Sequence, residues 1–238
     1  MTTAAILIIG DELLSGRVED ANGPILLGWL RARGVEVSRL AWLPDDADAI
    51  AEEVSRLAPR CSWLFCSGGV GPTHDDVTYA AVARAFDVDL ERRPELVAAL
   101  EARVSPLPPA ALRMADVPVG AELWGEGVLS YPLVVVRNVL LLPGSPHLFR
   151  ARLEALAPRF PGAPPRVEHL YLTARETEFA ARLAVAAARF LQVRIGSYPR
   201  TSREVPWRVM VTLESRDEAA LQACLAWVRR ELEGFILP

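Results

Sequence analysis

The chain contains no lysine, so all 26 of its cationic residues are arginine. A lysine-bearing phosphate loop of the GxxxxGK[ST] type is therefore excluded, and the GxGxxG dinucleotide fingerprint is missing as well. Any clamp on an anion has to be made of guanidinium or backbone N–H groups. Cysteine is scarce and odd in number: Cys61, Cys66 and Cys224 fit no zinc spacing and are expected as reduced, buried thiols. No basic tract exists and the formal charge is −4, which argues against nucleic acid as a partner. No apolar run is long enough to span a membrane. The opening AAILIIG is too short for a signal peptide and meets charge at once. The expectation is a cytoplasmic protein without membrane contact.

What is present is a chain of 238 residues, about half of them hydrophobic, enough for one large domain or one domain plus a small one. It is organised around CSWLFCSGGVGPTHDDVT, residues 61–78. An apolar strand, Ser62 to Ser67, runs into the turn Gly68-Gly69-Val70-Gly71-Pro72. Asp75 and Asp76 follow, then a helix over Val77 to Phe86. Open α/β sheets build phosphate sites where a strand ends in glycines and a helix begins. Glycine lets backbone N–H groups approach an anion closely. Carboxylates beside a phosphate make sense with a divalent cation between them, since hard cations take oxygen ligands. The same turn is also compatible with a plain strand-to-helix connection, its aspartates favouring the positive helix end.

The rest of the chain is read around that loop. Ala4 to Ile9 is a continuous apolar run of the kind found in central parallel strands, broken by Gly10-Asp11-Glu12. Asp11 and Asp20 then lie where such folds place ligands, or serve as loop and cap residues. A helix with Pro24 in its first turn ends at Gly34, and Val35 to Leu43 is the second strand. Asp45 and Asp46 are N-cap candidates for a helix over Ala47 to Leu57. Pro94 opens a helix to about Arg103, Ser105 to Pro109 is a break, and Met114 to Gly120 reads as irregular. Two strands, Leu133 to Arg137 and Val139 to Leu142, lead into Pro143-Gly144-Ser145-Pro146, a second glycine-containing turn before a helix. PRFPGAPP, residues 158–165, reads as a linker between a domain over 1–157 and a β-α-β-β-α unit over 166–238. A loop with Arg200 and Arg203 joins two strands of that unit; it is read as an exposed turn, or as a reach toward a phosphate.

GDELLSG at Gly10 to Gly16, Asp20 with Asn22, GGVGPTHDDVT at Gly68 to Thr78, and LPGSP at Leu142 to Pro146 resemble the molybdopterin-binding (MoaB/MogA-like) fold family. Within it the resemblance is strongest to the N-terminal domain of the CinA proteins and to the molybdopterin-binding-like domain of eukaryotic FAD synthases. YPLVVVRNVLLLPGSP and IGSYP are similar to the latter, so the resemblance runs over essentially the whole chain. It implies an α/β three-layer sandwich on a mostly parallel sheet, plus a small C-terminal α+β unit, and a homo-oligomer. It implies important aspartates at Asp11, Asp45 and Asp76, with Asp76, Asp11 and Asp75 as ligands of a divalent ion (Mg, Mn or Co). Ligand contacts are expected from Gly68, Gly69, Gly71, Thr73, Ser67, Asp20, Asn22, Pro143 and Gly144. The expected activity is metal-dependent hydrolysis of a nucleotide pyrophosphate such as FAD, ADP-ribose or NAD. Pterin binding with adenylyl transfer, and a non-catalytic nucleotide-binding module, stay open. Asp20-Ala21-Asn22 stands where CinA proteins usually carry Asn-Thr-Asn. Neither the CinA deamidase nor the FAD-forming domain is expected in this chain.

Overall fold

The computed structural model describes residues 2–125, 128–200 and 205–237. Its backbone divides into two compact units that meet at Ala163 and Pro164. The first unit runs β1 (Thr3–Ile9), α1 (Asp11–Leu14), α2 (Asn22–Ala32), β2 (Glu36–Leu43), α3 (Ala47–Leu57), β3 (Trp63–Ser67), α4 (Thr78–Ala85), β4 (Leu90–Arg92), α5 (Pro94–Glu101), β5 (Asp116–Pro118), β6 (Glu122–Trp124), β7 (Leu133–Val136), β8 (Val139–Leu142) and α6 (Pro146–Leu156).

The main sheet has the order β2-β1-β3-β8-β7-β6. The first four of these strands are mutually parallel, and β7 runs against β8 and β6. Strand pleating decides the layers. Ala5, Leu7 and Ile9 of β1 face one apolar cluster, with Ile50 and Val54 of α3, Val82 of α4 and Leu96 of α5. Ala4, Ile6 and Ile8 face the other, with Leu26 and Leu30 of α2 and Phe149, Leu153 and Leu156 of α6. The sheet is therefore buried on both faces, which is why its strands read as unbroken apolar runs. The three-layer α/β sandwich expected from the sequence is the architecture found.

Three details differ from the sequence reading. Gly10-Asp11-Glu12 is not an open loop, because α1 starts at Asp11. Met114 to Gly120 is not wholly irregular: Asp116–Pro118 pairs with Leu90–Arg92, and Arg92 holds Asp116 at 2.7 and 2.8 Å. Phe160, inside the stretch read as a linker, is buried against Trp29, Trp63 and Phe65.

The second unit contains β9 (Arg166–Leu172), α7 (Glu176–Arg189), β10 (Arg194–Pro199), β11 (Val209–Ser215) and α8 (Glu218–Glu231). Its sheet is antiparallel in the order β10-β11-β9, and Val209, Val211 and Leu213 pack with Phe179, Leu183, Leu221 and Val228 into a separate core. Arg200 lies over the Trp207 ring of the same unit, 5.0 Å from its centroid. Arg203 lies outside the described residues. No helix among the described residues is long and apolar enough to cross a membrane.

Candidate functional site

The C-terminal ends of β1, β3 and β8 meet at one edge of the first unit and open into a cavity of about 400 Å³. That size falls in the range of small-molecule sites. Its floor is the glycine loop. Gly68 donates its N–H to Leu142 O at 3.1 Å, and its carbonyl accepts from the buried Thr78 hydroxyl at 2.8 Å. Gly69 O accepts from Thr78 N at 2.9 Å. The loop is thus fixed to the neighbouring strand end on one side and to the start of α4 on the other. The N–H groups of Gly69, Val70 and Gly71 find no protein acceptor among the described residues, and all three residues line the cavity. Three successive unpaired amides at a strand-to-helix turn form the kind of concavity that holds an anion.

Carboxylates occupy the rim. Glu12, Asp45, Asp75 and Asp76 all line the cavity. Asp76 closes the loop on itself, taking Thr73 N at 2.8 Å and the Thr73 hydroxyl at 2.5 Å on the same oxygen. A Cβ at position 71 would come within 2.6 Å of that oxygen, so a larger residue there would have to displace the Asp76 carboxylate. Asp45 accepts from Asp11 N at 2.9 Å, and Asp45 N points at Asp11 Oδ1 at 3.4 Å. Burial pushes the Asp45 carboxyl above its ordinary 3.8, the Asp11 amide opposes this, and the negative charges of Asp11, Glu12 and Asp75 add to the rise. A raised folded-state value means that the fold prefers neutral Asp45. Stability is lost as pH rises through that value, and the loss is complete at neutral pH. Asp45→Asn, which can keep the bond to Asp11 N, is expected to raise the unfolding midpoint at pH 7 by about 1–3 °C, with the gain vanishing below pH ~4. Thermal scans at the two pH values check this.

Behind the rim the charge changes sign. Arg103 and Arg152 line the same cavity with Tyr79 and Tyr131. Arg152 is 6% exposed, and no carboxylate stands among the charged groups that act on it. Burial, then the charge of Arg103, holds its guanidinium below the usual value. Tyr131 donates to Met114 O, and both phenols are pushed up chiefly by burial. Met114, Leu133, Leu141 and Leu148 supply apolar wall. The cavity therefore joins free amides, a carboxylate rim, buried cationic charge and an apolar surface.

Residues 5–162 match the family described as "Probable molybdopterin binding domain". The chain belongs to that family. Residues 164–237 match the family described as "FAD synthase, middle domain". A "Probable FAD synthase" of Caenorhabditis elegans is 32% identical over 99% of this chain and 51% of its own length. A "CinA-like protein" of Desulfosudis oleivorans is 30% identical over 96% of this chain and 60% of its own length. The chain thus spans about half to three-fifths of these relatives. A solved structure titled protein CinA with unknown function, from Thermoplasma acidophilum, has a TM-score of 0.62 and 27% identity, covering 67% of this chain and 98% of that one.

Against the family pattern, the residues picked from the sequence separate into two sets. Gly68, Gly69, Gly71, Asp45, Asp75, Asp76, Pro143 and Gly144 line the cavity. Gly68 does so with its N–H already used by Leu142, because β8 lies beside β3. Asp11 does not line it: consecutive residues of the α1 turn point in different directions, and Glu12 takes that place. Asp20 accepts from Gly23 N in the first turn of α2 at 2.9 Å and from Trp42 Nε1 at 3.0 Å, so it ties that turn to β2. Asn22 and Ser67, 5% and 1% exposed, act as internal ties. Asn22 Nδ2 donates to Ser67 Oγ at 3.1 Å and Gly144 O at 2.8 Å, and Ser67 Oγ donates to Pro143 O at 3.1 Å. Thr73 is engaged by Asp76.

The divalent ion that the sequence reading invoked can be tested against this donor set. Among the described residues no three His, Cys, Asp or Glu side chains converge into a cage. The carboxylates of Asp45 and Asp76 line the same cavity as the free amides, so one or two of them are available to an ion whose shell ligand phosphate oxygens and water would complete.

Proposed function

We propose that the first unit binds a nucleotide pyrophosphate in this cavity and hydrolyses it with a divalent cation. The observation that supports the reading is that three residues with unpaired backbone N–H groups, Gly69 to Gly71, line the same cavity as the carboxylates of Asp45 and Asp76. The amides suit phosphate oxygens, whereas the carboxylates suit them only through a shared cation. Asp76 and Asp45 would hold that cation, which when bound supplies Lewis acidity toward phosphorus and toward a water. The loop amides orient the diphosphate, and the apolar wall excludes bulk water from one side of it. Attack of water on one phosphorus breaks the P–O–P bridge, the bridging oxygen leaves on the other phosphate, and the water proton passes to a carboxylate.

The names of the relatives support a flavin or adenine dinucleotide as first probe. The test is incubation of the pure chain with FAD, ADP-ribose or NAD, in EDTA or with Mg²⁺, Mn²⁺ or Co²⁺, followed by chromatography. Metal-dependent release of AMP, with FMN as the second product from FAD, is expected. No release with any cation overturns the hydrolase. The description of the matched family favours a second reading, a pterin ligand with adenylyl transfer. In that case the same assay, given ATP and a pterin, consumes both.

A further inference from the structure

We infer that Arg152 is a second anion-binding point of this cavity, receiving a phosphoryl group of the ligand from the α6 side. The inference rests on the ligand class proposed above but not on hydrolysis. Helix α6 covers one face of the sheet and α4 the other, yet Arg152 of the first and Tyr79 of the second both line the space beyond the strand ends. Arg152 sits on the apolar stripe of its helix, between Phe149 and Leu156, where a hydrophobic residue would be expected. A guanidinium so placed loses hydration, and a carboxylate is the usual compensation. None pairs with it among the described residues, and the largest charge effect on it is that of Arg103, of the same sign. Two cations beside one another on a cavity wall are mutually unfavourable until an anion lies between them. Phosphate fits the planar guanidinium bidentately, and Tyr79 and Tyr131 add phenolic groups beside it. Tyr79 feels the charge of both Arg152 and the rim residue Asp76, so the cavity carries charge of both signs. A ligand with phosphoryl charge therefore engages both the glycine loop and Arg152, and an uncharged nucleoside engages neither.

The test is equilibrium binding in EDTA, where no metal-dependent turnover contributes. The probes are inorganic pyrophosphate and the pairs AMP and adenosine, FMN and riboflavin. The wild-type chain is expected to prefer each phosphorylated member. Arg152→Met is expected to reduce that preference by about tenfold or more, the worth of one charge-assisted contact. It is also expected to raise the unfolding midpoint of the ligand-free protein, because an uncompensated buried charge is gone. Arg152→Lys is expected to keep part of the preference. A lower midpoint in Arg152→Met, a failure of that variant to fold, or an unchanged phosphate preference would each overturn the assignment and make Arg152 a structural residue. A wild-type chain without phosphate preference sinks the ligand class as well. Phosphate binding through Arg152 without turnover sinks only the hydrolase.

Discussion

Asp76→Asn is expected to keep the fold and lose at least about a hundredfold in turnover, close to 3 kcal/mol of transition-state stabilisation. The asparagine carbonyl can still accept from Thr73 N, as Asp76 does at 2.8 Å, so the loop is retained. What disappears is the negative charge beside the free amides of Gly69 to Gly71, and with it the proposed hold on a cation. Asp76→Ala removes the loop tie as well, so it is expected to add a loss of stability to the loss of rate. Rates are to be measured at saturating metal, beside thermal midpoints for both variants. A normal rate in a folded Asp76→Asn protein would remove Asp76 from the reaction.

Gly68→Ala is expected to be the most disruptive single methyl in the first unit's glycine loop. Residue 68 has φ +112°, and a Cβ there would lie 2.1 Å from Ile9 O, a backbone atom of the central strand. Neither the strain nor the clash can be relieved by a side-chain rotation. Moving the loop away would break the Gly68 N–H bond to Leu142 O and the Thr78 hydroxyl bond to Gly68 O. We expect a loss of about 3 kcal/mol or more, or roughly 6–12 °C in midpoint, together with loss of ligand binding. Gly28→Ala is the matching control: nothing lies within 4 Å of a Cβ there, and the residue is inside α2. It is expected to be neutral or stabilising by up to ~1 kcal/mol. Equal losses in the two variants would mean that the loop geometry is not what position 68 protects.

The layers and the position of the cavity were legible because they follow from local pattern. Unbroken apolar runs gave the parallel strands, and glycines after Ser67 gave the loop. What escaped depended on partners distant in sequence. Asp45 and Asp46 are equivalent as letters. Only the structure shows Asp46 capping α3, through Asp48 N and Ala49 N, while Asp45 turns to Asp11. Asp20 and Asn22 belong to the recognisable motif, yet they fasten the walls and do not line the cavity. The β4–β5 ribbon was missed because each strand is three residues long and the pairing spans a helix and a loop. Arg152 did leave a signal, a charge at an apolar-stripe position of α6, and it was passed over.

The Asn22 tie also sets a timetable. Its acceptor, Gly144 O, lies 122 positions later. On a ribosome adding about 5–20 residues per second, Asn22 waits roughly 6–24 s for that partner. Strands β1, β2 and β3 can associate early, but the cavity needs β8, which enters the sheet beside β3 only after the intervening chain has been made. The nascent chain therefore carries its glycine loop without the Leu142 carbonyl that anchors it until about 70 further residues have been added. Ligand binding can begin only once the first unit is nearly complete, and the long-range closure that creates the site is also the slow step expected in its folding.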